Sequence, residues 1–219
     1  MHLIQNISLM KSLFVLSFLI IPIVLVSQEI SKPREIYFQT SGLYLLNSGL
    51  EYKIGLSEKY YLRATVNNVN AYFNSRNSSS TTAYPYTQNG GSINTSIGVE
   101  KRKSISERLK LISGVNILFG AGYYESVWND PNFSPSEQKS YSINFNPGIS
   151  LHGGVLIYVS DHITIGATYE PRVYYNISKS VSPIPGGGKS TTTYTGLSAG
   201  LSPDMLRLLV GFRWSKLKD

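Results

Sequence analysis

Serine and histidine supply the nucleophile and the base of many hydrolases, so their spacing is the first chemical signal in this chain. Outside the N-terminal segment the only histidines are His152 and His162, and His152 shares strand parity with Ser142 and Ser150. A catalytic serine also needs an acid that orients the histidine, and the sequence offers none on the same rim. His162 follows Asp161 in a turn, where a histidine is usually solvated. We therefore predict no catalytic residues.

Other chemical signals are weak. Two separated histidines and no cysteine do not form a metal-ligand set, so we predict no metal and no other cofactor. The stretch PIPGGGKST, residues 183–191, lacks the spacing of a phosphate-binding loop and is interpreted as a surface loop. The formal net charge is +7, but the basic residues are scattered apart from a run at residues 100–103. This distribution does not favour a nucleic-acid partner.

Charged residues fall on one face of segments that alternate between polar and apolar residues. In ITIGATYEPRVYYNIS, residues 163–178, Ile163 and Ile165 share one face, whereas Glu170 and Arg172 share the other. If such faces turn inward in a closed sheet, the charges must pair, because an isolated buried charge is costly. The residues predicted for this inner polar network are Glu51, Lys53, Arg63, Glu100, Lys110, His152, Glu170, Arg172, Arg207 and Arg213.

The elements that carry these residues are predicted to be strands, because alternation is widespread and helical periodicity is nearly absent. A turn is expected at Asn47–Gly49. The hydrophobic phase slips at Asn67–Asn68, which predicts a β-bulge. A second bulge is expected at Pro171, because proline cannot donate to the sheet. The predicted strands cover residues 36–46, 50–56, 60–73, 92–101, 109–125, 141–159, 163–178 and 194–214.

Short turns alternate with three long exposed loops, predicted at residues 74–91, 126–140 and 179–192. This layout, together with a charged fraction of only 15%, is typical of membrane barrels, in which strands of about 9–11 residues span the bilayer. Aromatic residues cluster at both strand ends and predict two interfacial girdles. The girdle expected near the short turns consists of Tyr60, Tyr61, Tyr158, Phe212 and Trp214.

Eight strands can be counted in two ways. Either residues 47–49 form a turn and the last strand has a bulge near residues 202–205, or residues 202–204 form a turn and residues 47–49 do not. The hydrophobic phase changes parity between Leu201 and Leu206, which favours the bulge. We therefore predict an all-β fold, an eight-stranded antiparallel up-and-down transmembrane β-barrel.

The N-terminal segment has the order of a secretory signal peptide. Lys11 precedes an apolar run, and small and polar residues follow it at Ser27. We predict a signal peptide at residues 1–27, with Met10 a possible true start and an uncleaved membrane anchor as the alternative. The remaining boundaries are a periplasmic lead at 28–34, the barrel at 35–216 and a C-terminal tail at 217–219.

With these features the chain resembles the small OmpA/OmpX-like, porin-family outer-membrane β-barrels of Gram-negative bacteria. The resemblance is carried by the signal segment, by the hairpins at residues 50–73, 92–125 and 141–178, and by the terminal strand LLVGFRW. It implies export to the outer membrane of the cell envelope and insertion by the barrel-assembly machinery. Family members often end on the aromatic residue, whereas SKLKD follows it here.

The resemblance implies a structural, adhesive or surface-interaction role rather than an enzymatic one. A first alternative is a narrow, anion-preferring channel or a small-ligand-binding barrel, because six cations and three carboxylates would share the interior. A second is a lipid-modifying enzyme. The expected partner is outer-membrane lipid, the expected state is a monomer, and no external ligand is identified.

Overall fold

The computed structural model describes residues 32–41, 47–77, 86–128, 139–184, 188–200 and 205–214. The predicted signal peptide at residues 1–27 and the predicted tail at 217–219 lie outside these ranges. Among the described residues, no helix is long and apolar enough to cross a membrane.

The described chain is built from antiparallel strands that close into a ring. Eight strand segments form this ring, in the order β1, β2, β3, β4, β5, β6, β7 and β10, and β10 pairs with β1 to close it. The two remaining segments, β8 and β9, continue the sheet from β6. The bounds are β1 Arg34–Ser41, β2 Asn47–Gly55, β3 Tyr60–Asn77, β4 Tyr86–Ser104, β5 Leu109–Trp128, β6 Lys139–Tyr158, β7 Ile163–Tyr169, β8 Arg172–Pro183, β9 Lys189–Gly200 and β10 Leu206–Trp214.

Segments β7 and β8 act as one long strand. Both pair with β6 in a single register: Gly153 lies opposite Tyr169, and Ser150 lies opposite Arg172. The two pairs are three residues apart on both strands. The expected bulge at Pro171 is therefore wrong. The hydrogen bonding between the strands is interrupted at Pro171 because proline has no N–H to donate. The Pro171 carbonyl still accepts from the Leu151 N–H at 3.1 Å.

Segments β9 and β10 also act as one strand, but with an irregularity between them. Arg172 pairs with Gly200 and Tyr169 pairs with Leu206, so two intervening residues on one side correspond to five on the other, of which residues 201–204 lie outside the described ranges. The odd number of extra residues reverses which parity faces outward, as the hydrophobic phase predicted. Joining both pairs of segments gives the predicted eight-stranded antiparallel barrel. The bulge predicted in β3 is also confirmed, by a register shift between Asn67 and Asn70.

The expected turn at Asn47–Gly49 is wrong. These residues already belong to β2, where Asn47 pairs with Ser41 and Gly49 pairs with Gln39. The chain therefore reverses between Ser41 and Asn47 rather than at residues 47–49. Residues 42–46, the end of the predicted first strand, lie outside the described residues.

Three short connections have the same five-residue pattern, which was not among the predictions from the sequence. They read LSEKY from Leu56, ISERL from Ile105 and VSDHI from Val159: apolar, serine, acid, base, apolar. In each, the first backbone N–H donates to the carbonyl of the last residue at 2.8–2.9 Å. The serine hydroxyl accepts backbone N–H groups near the end of the turn. This side-chain cap tightens all three reversals at one end of the barrel.

The strands differ greatly in height. Segments β1, β7 and β10 have only 7–9 residues, whereas β4, β5 and β6 have 19–20. The tall strands rise beyond the ring at the end opposite the short turns. We call this part the projecting sheet; it consists of residues 70–77 of β3, 86–94 of β4, 120–128 of β5, 139–146 of β6, and β8 and β9.

The projecting sheet corrects the loop boundaries. Part of each expected loop at residues 74–91, 126–140 and 179–192 is paired strand: Ser75 lies opposite Gln88, and Pro183 lies opposite Lys189. Residues 78–85, 129–138 and 185–187 of these expected loops lie outside the described residues. Serine, threonine and asparagine are common in loops, so their abundance concealed strands that are polar on both faces.

The two faces of the ring have opposite character. On the outer face Phe38, Leu208 and Val210 are 56–69% exposed. On the inner face charged side chains are almost fully buried. Tyr61 and Tyr158, which we expected in the aromatic girdle, are also buried inside, so the prediction is wrong for these two residues. They share parity with other inward residues of their strands, and only ring closure reveals which parity is enclosed.

Candidate functional site: a buried ion-pair ladder inside the ring

The inner face of the ring holds a ladder of ion pairs that begins beside the short turns. The guanidinium of Arg102 grips the carboxylate of Glu35 with two hydrogen bonds, of 2.8 and 2.6 Å. Arg102 also donates to the hydroxyl of Tyr158 at 2.8 Å and stacks 3.5 Å above the ring of Tyr61. Arg213 approaches Glu35 at 3.7 Å and closes this end of the ladder. Such bidentate contacts fix geometry as well as charge.

The middle of the ladder alternates in sign along neighbouring strands. Glu100 accepts from Arg102 at 2.7 Å and from Lys53 at 2.6 Å. The same ammonium of Lys53 lies 2.8 Å from Glu51. Glu51 in turn accepts from the Nε of Arg63 at 2.6 Å. Cross-strand pairing explains this proximity, because Lys53 lies opposite Arg63 and Glu51 is two residues from Lys53 on the same face.

The upper end of the ladder is centred on Glu170, which lies between β7 and β8. One carboxylate oxygen accepts from Ser150 at 2.7 Å and from Asn116 at 3.1 Å. The other lies 2.9 Å from Arg207 and 3.4 Å from Arg63. The Glu170 backbone N–H donates to the Met205 carbonyl at 3.0 Å, which fixes this residue between β7 and β8.

Taken as a whole, the ladder is a continuous chain of nine alternating charges. Eight of its side chains are buried, with Arg213 at the partly exposed lower end. Burial of unpaired charges would be prohibitive, and here each carboxylate contacts at least two cations. The members in order are Arg213, Glu35, Arg102, Glu100, Lys53, Glu51, Arg63, Glu170 and Arg207.

Inward glycines make room for the larger side chains of the lumen. A Cβ on Gly211 would lie 2.2 Å from the ring of Tyr37. A Cβ on Gly114 would lie 2.3 Å from the imidazole of His152. Tyr37 in turn supports the ladder, because its hydroxyl donates to Glu35 at 2.8 Å and Lys53 lies 4.5 Å from its ring centre. The glycine-rich strands thus match a lumen crowded by aromatic and charged groups.

The structure distributes the ten predicted network residues over four settings. His152 is buried beside the ladder, with Nε2 3.6 Å from Glu100, while Lys110 lies over the ring of Tyr158 and Arg172 lines the space above the ladder. The other seven are ladder members: Glu51, Lys53, Arg63, Glu100, Glu170, Arg207 and Arg213.

Several important inward-facing residues were not predicted from the sequence. Glu35, Tyr37 and Gln39 alternate with Ile36 and Phe38, and this parity could have placed them inside. Arg102, two residues after Glu100, could likewise have been found by extending the strand past residue 101.

The environment of Ser150 and His152 differs from that of a catalytic pair. Ser150 donates its hydroxyl to Glu170, and the described residues provide no hydrogen bond between Ser150 and His152. Acids do lie nearby, contrary to the sequence-based expectation, because strand pairing brings Glu100 and Glu170 into the same layer of the lumen. Across the described ranges, no three His, Asp or Glu side chains gather as possible metal ligands.

Comparison with known proteins gives likeness at the level of structure alone. No family model matches the chain, and no curated protein matches it by sequence. A major outer membrane protein from Thermus thermophilus is similar with a TM-score of 0.47 and 13% identity, over 84% of this chain and 98% of that one. Ail, the attachment invasion locus protein of Yersinia pestis, is similar with a TM-score of 0.36 and 11% identity, over 84% and 97%. Neither likeness is close enough to transfer a role.

Proposed function

We propose that this protein is a non-conducting barrel of the outer membrane that presents its projecting sheet for contact with other macromolecules. The observation that carries the proposal is the ion-pair ladder, which fills the ring with side chains bound to one another. In this proposal a cleaved signal exports the chain, and the barrel-assembly machinery inserts it as a monomer surrounded by lipid.

The outer face of the ring supports the membrane location. Its apolar side chains form a continuous exposed belt, of a size that soluble monomers rarely expose to water. The shortest ring segments have 7–9 residues, close to the roughly 9–11 residues that a tilted strand needs to cross the hydrocarbon layer. Closure of the ring also satisfies the backbone polar groups that lipid cannot.

The packing of the lumen supports the absence of conduction. Arg63 contacts both Glu51 and Glu170, which come from strands on different sides of the ring. An eight-stranded barrel has little interior beyond its own side chains. A solute passing through would have to separate several buried ion pairs at once, and each separation would expose a charge without a partner.

The edge of the projecting sheet supports an interaction role. Over its whole length β9 pairs with β8 and with no other described strand. Its exposed residues 190–195 carry no charge, although charged residues commonly protect sheet edges. An unprotected edge of this kind can accept an added strand from a partner, with main-chain hydrogen bonds providing affinity.

Electrophoresis and extraction test the membrane barrel. The native protein is expected to stay in the membrane after alkaline carbonate extraction and to migrate differently on gels before and after boiling. A soluble periplasmic fraction with no heat-dependent shift would contradict the location.

Planar-bilayer recording tests the closed lumen. The wild-type protein is expected to give no discrete conductance steps, because the ladder blocks the ring. Reproducible steps in the wild type whose size changes in Arg63→Met would instead support the channel.

A paired substitution tests the edge. Thr193→Lys adds charge to β9, whereas Ser182→Lys adds the same charge near the end of β8, the strand that lies between β6 and β9. Proteoliposomes would be screened against immobilised surface proteins. We expect binding that is weakened by Thr193→Lys and kept by Ser182→Lys. Equal binding by both variants would reject strand addition at β9.

A further inference from the structure

A polar cavity of about 260 Å³ lies directly above the ladder, on the side of the projecting sheet. Typical pockets for drug-sized ligands occupy roughly 300–1,000 Å³, so this one suits a smaller molecule. Its floor is formed by Arg207, the last member of the ladder. The side chains that the argument uses are Gln39, Asn67, Asn94, Asn146, Arg172 and Arg207.

Among the described residues, the charge around this cavity is not balanced. The carboxylate nearest to it, Glu170, already contacts Ser150, Asn116, Arg63 and Arg207. Arg172 reaches the same cavity from β8, and among the described residues it makes no ion pair. The ladder itself contains five cations and four carboxylates, so Arg172 adds to an existing positive surplus. A surplus of positive charge around a cavity favours an anionic occupant.

The amides around the cavity can complete the recognition of such an anion. Asn94 and Asn146 lie on either side of Gly120, since a Cβ there would come within 2.6 Å of the Asn94 Oδ1 and 3.2 Å of the Asn146 Cβ. Each carboxamide has two N–H donors, and each guanidinium offers donors in a fixed plane. Gln39 bonds to Asn67 and also accepts from Arg207 at 3.2 Å, which holds that guanidinium against the cavity floor.

We propose that this cavity is a binding site for a small oxyanion, the carboxylate or phosphate group of a soluble molecule. Arg172 supplies the unpaired charge, Arg207 supplies a second guanidinium from below, and the asparagine amides donate hydrogen bonds. Because the ladder lies beneath, the ligand enters from the side of the projecting sheet and is held there. The inference does not depend on whether β9 binds a partner.

Titration of the purified full-length barrel in detergent micelles tests this site. The probes are inorganic phosphate and citrate, with a neutral sugar as the uncharged comparison. The readout is the NMR signals of the asparagine side-chain amides. We expect saturable shifts at Asn94 and Asn146 with phosphate, citrate or both, and none with the sugar; which of the two anions responds identifies the preferred group.

Variants of Arg172 locate the interaction. Arg172→Gln should weaken the apparent affinity at least about tenfold, which corresponds to the loss of one charge-assisted hydrogen bond. Arg172→Lys keeps the charge but loses the planar set of donors, so its affinity should fall between those of the wild type and Arg172→Gln. Lys179→Gln removes an exposed cation from the same strand outside the cavity and should change nothing.

Two results would overturn the proposal. One is the absence of a saturable shift with either anion in the wild type. The other is an affinity that Arg172→Gln leaves unchanged, or that Lys179→Gln lowers equally, since either would show that general surface charge attracts the probes. The heat-dependent gel shift checks folding of each variant, and Arg172 lies outside the ladder.

Discussion

The ring and the projecting sheet are built from largely the same strands, yet charged side chains are buried in the ring and exposed to water on the projecting sheet. Inside the ring Glu100 and Lys53 form a 2.6 Å pair with fully buried side chains. On the projecting sheet Glu125 and Lys139 form a 2.9 Å pair in which half of the lysine side chain is exposed. The two pairs have similar lengths, but water reaches only the second.

The difference shows that burial inside the closed ring, rather than the N–O distance, determines how much an ion pair matters for stability. Within the ring, each charge has lost its water, so removal of one partner leaves the other without compensation. On the open sheet, solvent replaces whatever a substitution removes, and salt screens what remains. Matched substitutions in the two regions should therefore give very different results.

The largest effect is expected for Glu100→Gln. This change leaves Lys53 and Arg102 without their shared carboxylate, and breaking a buried pair costs about 3–5 kcal/mol. The measurement is the free energy of unfolding in lipid or detergent, from urea titration followed by tryptophan fluorescence. A loss below about 1 kcal/mol would mean that water reaches the ladder.

A charge on the outer face should have the next largest effect. Val210→Arg places a cation at the centre of β10, where a lipid-facing cation costs roughly 2–4 kcal/mol. Tyr194→Arg makes a similar change at an exposed position of the projecting sheet and should cost less than about 1 kcal/mol. The same unfolding titration compares them. Equal losses would contradict the assignment of the ring as the membrane-facing belt.

Adding one methyl group should also affect the two regions differently, but with a smaller difference in stability than the charge substitutions. Gly211→Ala would drive a methyl group into the ring of Tyr37, and overpacking of this kind costs about 1–3 kcal/mol. In the projecting sheet, a Cβ on Gly122 would meet its nearest side-chain atoms at 3.2–3.4 Å, so Gly122→Ala should be close to neutral. Thermal unfolding midpoints measure both. A more harmful Gly122→Ala would reverse the comparison.

The smallest effect is expected for Glu125→Gln on the projecting sheet. Exposed pairs contribute about 0–1 kcal/mol, so the free energy of unfolding should fall by no more than that. Addition of salt should erase the difference from the wild type, whereas salt should not rescue Glu100→Gln. A salt-insensitive loss of several kcal/mol would show that Glu125 is enclosed.

Much of the fold follows from parity along the sequence. Alternation identified nearly every strand, and the phase change between Leu201 and Leu206 indicated the irregularity that yields eight strands rather than nine. The ends of the strands were harder to predict, because the polar residues of β9 and of residues 70–77 in β3 have no apolar face to mark them. The turn near Asn47 was misplaced for the opposite reason, since apolar residues continue in the sequence beyond Ser41, where β1 ends.

The ladder was only partly accessible from the sequence. Parity could place Glu51, Lys53 and Glu170 on inner faces, but it carries no information on which carboxylate meets which cation. Lys53 and Glu100 are 47 residues apart, and Arg63 and Glu170 are 107 apart. Such contacts depend on strand order and stagger around the ring, which no local pattern encodes.

Strands with one apolar and one polar face follow directly from the amino-acid sequence, because a period of two leaves few alternatives. The sequence also places charge near the centres of several polar faces, as at Glu170 and Arg172. That these charges meet in a single alternating ladder, with Arg172 apart above it, is a property of the folded ring. Once the sheet closes, the inward charges lose water together and must find partners across the lumen, and no local pattern specifies those partners.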